Sequence, residues 1–179
     1  MRIFHIPAYT DNYIWVMQSG SDISIIDPGD ASPVLDHIKN NDLNIVDILL
    51  THHHFDHVGG TLELKKHISG KVYGPVGDIN GVDIQVSEND EVKTLDYKFS
   101  VLETPGHTLD HIAYVEKRKQ LVFCGDTLFS AGCGRVFEGT FEQMHNSIQK
   151  LNQLDPETVI YCAHEYTCLL YTSPSPRDR

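Results

Sequence analysis

A chain of 179 residues has the length of one domain, and 40% hydrophobic with 22% charged residues fits a folded globular protein, neither disordered nor fibrous. Acidic residues outnumber basic ones by 25 to 14, a formal charge of −11, which excludes a general nucleic-acid groove. No apolar stretch nears the ~18 residues of a membrane span, and the first seven residues lack a secretory apolar region, so a cytoplasmic or organelle-matrix protein is expected.

Strand-like segments at Ile3–Ile6, Tyr13–Met17 and Ile23–Ile26, closed by the turn Asp27-Pro28-Gly29-Asp30, predict an antiparallel β opening. Ser32 with Pro33 behind it reads as the cap and first position of a short helix carrying Val34, Leu35 and Ile38. The apolar strand Ile45–Leu50 then delivers the polar segment Thr51–His57, and a helix bearing Leu62, Leu64 and Ile68 follows Gly59-Gly60. Further strands are expected near Lys71–Tyr73, Val82–Val86, Tyr97–Glu103, Ile112–Val115 and Leu121–Cys124. Thr140-x-x-Gln143 has the form of a capping box for a helix from about Phe141 to Leu154, with Phe141, Met144, Ile148 and Leu151 as its packing stripe. A last short strand, Val159–Cys162, leads into Ala163-His164-Glu165. The four cysteines, Cys124, Cys133, Cys162 and Cys168, form no C-x-x-C pair and read as core thiols of a reducing compartment.

Thr51-His52-His53-His54-Phe55-Asp56-His57 puts His52, His54, Asp56 and His57 within six residues directly after a buried strand. Four potential ligands so close favour a metal. On an extended loop His52 and His54 point to one side and can reach one ion, while Asp56 and His57 project toward a neighbouring one. His53 and Phe55 then read as packing residues. His107, Asp126 and His164 each follow an apolar run, and together the seven supply five imidazoles and two carboxylates. That is enough for two ions sharing one carboxylate, each keeping an open position. His5, His37, His67 and His145 read as surface or satisfied core residues, and His111 as structural.

The motif His52-x-His54-x-Asp56-His57, with His107, Asp126 and His164 downstream in that order, resembles the metallo-β-lactamase superfamily. Within it, Tyr9-Thr10-Asp11-Asn12-Tyr13-Ile14, Asp27-Pro28-Gly29, Cys124-Gly125-Asp126-Thr127-Leu128-Phe129, Gly132-Cys133-Gly134-Arg135 and Cys162-Ala163-His164-Glu165-Tyr166-Thr167 resemble the glyoxalase II family over residues 2 to 167. The resemblance implies a mixed α/β (α+β) fold, an αββα sandwich with a binuclear site between its sheets. It implies that His52, His54 and His107 hold one divalent ion, that Asp56, His57 and His164 hold the other, and that Asp126 bridges, with zinc, iron or manganese as the metal. It also implies glutathione contacts through Arg135, Phe137 and Tyr166. Asp110 departs from the glycine that many members carry.

The family's carboxyl-terminal helical domain is missing from this reading. Residues 168–179, with Ser-Pro repeats and no helical period, are expected to be a non-native or disordered tail after a catalytic domain at 1–167. The implied activity is hydrolysis of the thioester of S-(2-hydroxyacyl)glutathione to glutathione and a 2-hydroxy acid, a step of methylglyoxal detoxification. Asp56 and Asp126 would serve it together with a metal-activated hydroxide. The expected protein is a monomer acting on this small molecule, with no nucleic-acid or membrane partner. A persulfide dioxygenase, a general thioesterase or lactonase, and a non-catalytic metal-binding fragment are the alternatives.

Overall fold

Apolar residues that alternate along the strands divide between two packing faces, and this division generates the layers. In the computed structural model, which describes residues 2–167, β1 (Arg2–Ala8), β2 (Asn12–Ser19) and β3 (Asp22–Ile26) form the expected antiparallel meander. Helix α1 (Ala31–Asn41) returns the chain so that β4 (Asn44–Leu49) lies parallel to β3, and β5 (Val72–Pro75) and β6 (Ile84–Val86) extend the sheet in parallel to six strands in sequence order. Between β4 and β5 run the one-turn helices α2 (Phe55–Val58) and α3 (Thr61–Leu64). A second sheet of β7 (Glu91–Thr94), β8 (Tyr97–Glu103), β9 (Ile112–Glu116), β10 (Leu121–Gly125) and β13 (Val159–Cys162) has the order β13-β10-β9-β8-β7. Its connections include the small hairpin β11 (Leu128–Phe129) and β12 (Gly132–Cys133), and helix α4 (Phe141–Asn152).

Met17, Ile26 and Leu49 of the first sheet meet Phe99, Tyr114 and Phe123 of the second in the central core. The alternate residues Ile14, Val16, Ile23 and Ile25 face outward under Val34 of α1, and Ala113, Val115 and Val122 face outward under Leu151 of α4. The result is an αββα sandwich. No helix among the described residues is long and apolar enough to cross a membrane.

Local expectations differ from the structure in several places. Asp30, not Ser32, caps α1, because its carboxylate accepts the Ser32 N–H at 2.9 Å, and Pro33 falls within the first turn. The helix after Gly59-Gly60 ends at Leu64 and passes through a 3-10 turn at Lys65–His67, so Ile68 lies beyond it. The capping box of α4 forms in both directions, with Thr140 Oγ1 accepting Gln143 N–H at 3.1 Å and Gln143 Oε1 accepting Thr140 N–H at 2.8 Å. Its buried face, however, runs through Met144, Ser147 and Leu151. The Ser147 hydroxyl donates to the Pro105 carbonyl at 2.7 Å, and Phe141 is turned out to 85% exposure. Strand β7 carries a single apolar residue, Val92, and β11 and β12 are two residues each, too short to stand out in the sequence. The described cysteines are free, but only Cys124 is buried; Cys162 is half-buried and Cys133 lies exposed in β12, so it is no core thiol. The tail expectation, including Cys168, concerns residues outside those described.

Phe99 is fully buried between the sheets. Replacing it with alanine is expected to lower unfolding stability by about 3–5 kcal/mol, read by denaturant titration; a loss under ~1 kcal/mol would show that the sheets do not pack through this residue.

Candidate metal centre

The site sits where β4, the β8–β9 loop, β10 and β13 end on one rim of the sandwich, the usual place for loops that carry chemistry. Asp27, at the end of β3 with a positive φ of 51°, organises the first of these loops. Its Oδ1 accepts Thr51 N–H at 2.8 Å, and its Oδ2 accepts the Thr51 hydroxyl at 2.7 Å and stands 3.2 Å from His57 Nδ1. The Tyr9 hydroxyl donates to the Gly29 carbonyl at 2.7 Å, and a Cβ on Gly29 would lie 1.8 Å from the Asp56 carbonyl oxygen. Only glycine lets these two backbones approach so closely.

These contacts fix which nitrogen of each ring faces inward. The Thr51 hydroxyl spends its proton on Asp27, so at 3.0 Å it accepts from His52 Nδ1, which leaves a lone pair on His52 Nε2. His57 Nδ1 faces Asp27, His164 Nδ1 faces the Asp11 carboxylate at 2.9 Å, and His107 Nδ1 donates to the Arg135 carbonyl at 2.7 Å. Each of these Nε2 atoms then points into the centre, the orienting arrangement expected around metal-binding histidines. Asn12 holds Asp56 by donating to its Oδ2 at 2.9 Å.

The inward atoms form two groups. His52, His54 and His107 converge in one, with His54 Nδ1 3.0 Å from His107 Nε2; Asp56, His57 and His164 converge in the other. In the second group His57 Nε2 and His164 Nε2 are 3.3 Å apart, and Asp56 Oδ2 is 3.4 and 3.5 Å from them. Asp126 stands between the groups. Its Oδ2 is 3.3 Å from His107 Nε2, while its Oδ1 is 3.3 Å from His164 Nε2 and 3.5 Å from His57 Nε2.

The electrostatics follow from this crowding. Burial, then the neighbouring imidazoles His57, His111, His107 and His54, push the pKa of His52 well down. Burial also disfavours charge on His57, but Asp126, Asp27 and Asp56 outweigh it and raise that pKa. Asp126 is held at about 2: burial opposes ionisation, and the charges of His57, His164 and His107 overcome it.

The residues fit divalent cations on an observation independent of any motif. His52 Nε2 and Asp126 Oδ1 are buried without a hydrogen-bond partner. Such orphaned acceptors are costly unless a cation fills the space between them. A binuclear arrangement of borderline nitrogen and oxygen donors is what the centre offers.

All seven residues expected as ligands therefore come together. His53 and Phe55 do not pack inside: Phe55 is 73% exposed, and His53 is half-buried against Asp110, whose Oδ1 lies 2.9 Å from its Nδ1. That contact gives a partner to Asp110, which stands where many family members carry glycine. Phe137, 57% exposed, sets its ring edge-on to His54 and His107, and the Arg135 guanidinium stacks over it at 4.9 Å. Tyr166 stacks on His164 at 4.9 Å, its phenol pushed up to about 12 by burial first and then by Asp11, Asp126 and Asp56. His111 is buried and kept neutral, near 3, chiefly by burial; its Nε2 accepts Asp126 N–H at 3.0 Å. Sequence reading gave no role to Asp11, Asn12, Asp27 or Thr51, although all but Thr51 lie in segments that carry the family resemblance.

The fold and site define a class: the chain belongs to the metallo-beta-lactamase superfamily, whose family model matches residues 10–80 and 69–164. Within that class, the chain is 47% identical over 171 residues to a hydroxyacylglutathione hydrolase of Ectopseudomonas mendocina and 52% identical over 170 residues to one of Photobacterium profundum. Each match covers 93% of this chain and 66% and 67% of the respective relative, so the chain spans about two thirds of the length of the curated relatives it matches. Among solved structures, TTHA1623 in a di-iron-bound form is similar at a TM-score of 0.74 and 27% identity, covering 99% of this chain and all of the other.

Because Asp27 holds both Thr51 and His57, Asp27→Ala is expected to weaken divalent-metal binding by about 10–100-fold. Competition with a chromogenic chelator measures this, and unchanged affinity would remove Asp27 from the supporting set.

Proposed function

We propose that residues 1–167 form the catalytic domain of a binuclear metal-dependent hydrolase that cleaves the thioester of S-(2-hydroxyacyl)glutathione to glutathione and a 2-hydroxy acid. The observation that carries this reading is Asp126 facing two separate ligand groups with its two oxygens, in a chain about half identical to hydroxyacylglutathione hydrolases. His52, His54 and His107 would hold one ion, Asp56, His57 and His164 the other, and Asp126 both. Zinc is the metal proposed, and the same donors accept iron or manganese. When bound, the two ions would lower the pKa of a water toward neutrality and polarise the acyl carbonyl.

The chain's own residues supply orientation and recognition. Asp11, Asp27, Thr51 and the Arg135 carbonyl hold the imidazoles so that their lone pairs remain directed inward. Asn12 fixes Asp56. The exposed Arg135 guanidinium suits a carboxylate of the glutathionyl moiety, and the Phe137 ring offers an apolar wall beside His54 and His107. The raised pKa of Tyr166 keeps its hydroxyl protonated at neutral pH, a donor for the substrate's peptide groups. No general acid is needed, because a thiol with a parent pKa of about 8.5 departs as thiolate, unlike an amine. A cytoplasmic monomer acting on this small molecule completes the proposal.

Turnover of S-lactoylglutathione by the purified chain, against a simple acyl thioester lacking the glutathionyl group, tests the reading. It predicts a preference for the glutathione thioester of at least about tenfold, the differential binding of one or two polar contacts; equal rates would indicate a general thioesterase. Asp126→Ala is expected to lose bound metal and nearly all turnover together, and retention of both would refute its bridging role.

A further inference from the structure

His53 lies inside the ligand motif yet contributes nothing to either ligand group. Its two ring nitrogens are instead directed at carboxylates from two other loops: Nδ1 at Asp110 Oδ1, 2.9 Å away, and Nε2 at Glu138 Oε1, 3.3 Å away. The ligand atoms of the three side chains lie within 4.8 Å of one another, close enough to surround a cation, but each ring nitrogen already faces its own acid, so the cluster links loops. Glu138 makes the link three-cornered, because its Oε2 accepts the Leu109 N–H at 2.9 Å. The 51–57 segment, the loop around His107 and the segment 134–139 are thus joined through one imidazole and two carboxylates.

The segment so joined carries Arg135 and Phe137. Its backbone is attached to the His107 loop at three more points, the Arg135 carbonyl to His107 Nδ1 at 2.7 Å, Phe137 N–H to the His107 carbonyl at 3.2 Å and Gly139 N–H to the Gly106 carbonyl at 3.2 Å. Gly134 at the start of the segment is buried, but Phe137 and Glu138 are exposed, so packing does little to hold its tip. Together with the His107 Nδ1 bond to the Arg135 carbonyl, the side-chain contacts at Glu138 set where the Phe137 ring stands against His54 and His107.

We propose that His53, Asp110 and Glu138 form a clasp that positions the Arg135–Phe137 segment over the site and thereby sets affinity for the glutathionyl part of the substrate. They are positioning residues and touch neither substrate nor metal. The inference rests on the functional reading above for its substrate, but the clasp itself has a readout that does not.

The test compares Glu138→Ala and Glu138→Gln in the full chain. Alanine removes both contacts of Glu138, whereas the glutamine amide oxygen still accepts from Leu109 N–H. Glu138→Ala is expected to raise the KM for S-lactoylglutathione by about fivefold, the worth of one net hydrogen bond, with kcat within about twofold. Metal content should be unchanged, amide hydrogen exchange at Phe137 and Gly139 should quicken, and Glu138→Gln should restore most of the KM. Unchanged KM and exchange in Glu138→Ala would overturn the proposal. So would a fall in metal content and kcat at constant KM, which would make the cluster a support of the metal centre. If the unsubstituted chain hydrolyses no glutathione thioester, the functional reading fails, and the exchange rates alone still decide whether the clasp holds the segment.

Discussion

Imidazole nitrogens and carboxylate oxygens, acceptors when the rings are neutral, face one another across 3.3–3.5 Å at the rim of the sandwich. Left alone, that crowd of acceptors is unfavourable, and the chain relieves part of it by keeping His57 and His164 readily protonated beside Asp126, Asp56 and Asp11. A divalent cation in each group satisfies the same atoms more completely, including the orphaned His52 Nε2 and Asp126 Oδ1. The stability of the rim and its capacity for metal are therefore two consequences of one arrangement.

The sandwich exists, in this light, to bring distant chain segments to that rim. Ligands come from the ends of both sheets, and the two sheets are tied there by specific contacts. Tyr13 N–H donates to the Ala163 carbonyl at 2.7 Å and Glu165 N–H to the Asp11 carbonyl at 2.8 Å, so the β1–β2 turn that supplies Asp11 also holds the strand end that supplies His164. Trp15 Nε1 donates to the Cys162 carbonyl at 2.8 Å, and the Tyr13 hydroxyl bonds the Glu165 carboxylate. Close approach at Gly29 and Gly134, where a Cβ would collide with the carbonyls of Asp56 and Asp126, lets the loops pack tightly enough for the groups to meet.

Much of this was legible in the sequence because its signals are local. Short apolar runs closed by turn residues marked the principal strands, Thr140 and Gln143 marked α4, and the density of histidine between residues 52 and 57 marked the site. The supporting residues were less legible. Asp27 reads as an ordinary turn residue before Pro-Gly, and only its left-handed backbone and its contacts with Thr51 and His57 reveal what it does. His53 and Phe55 could be separated from the ligands by alternation, but alternation cannot say that the opposite side of this loop faces solvent and Asp110 instead of the core. Phe141 illustrates the same limit, since helical spacing put it on the stripe while the Ser147–Pro105 hydrogen bond selected a neighbouring face.

Titrating metal-free protein with zinc, while following bound metal and S-lactoylglutathione turnover on the same samples, tests the central claim most directly. Two coupled groups sharing Asp126 predict saturation at two equivalents per chain, with turnover rising to its plateau as the second is filled. Saturation at one equivalent, or full turnover by the metal-free chain, would contradict a binuclear hydrolase.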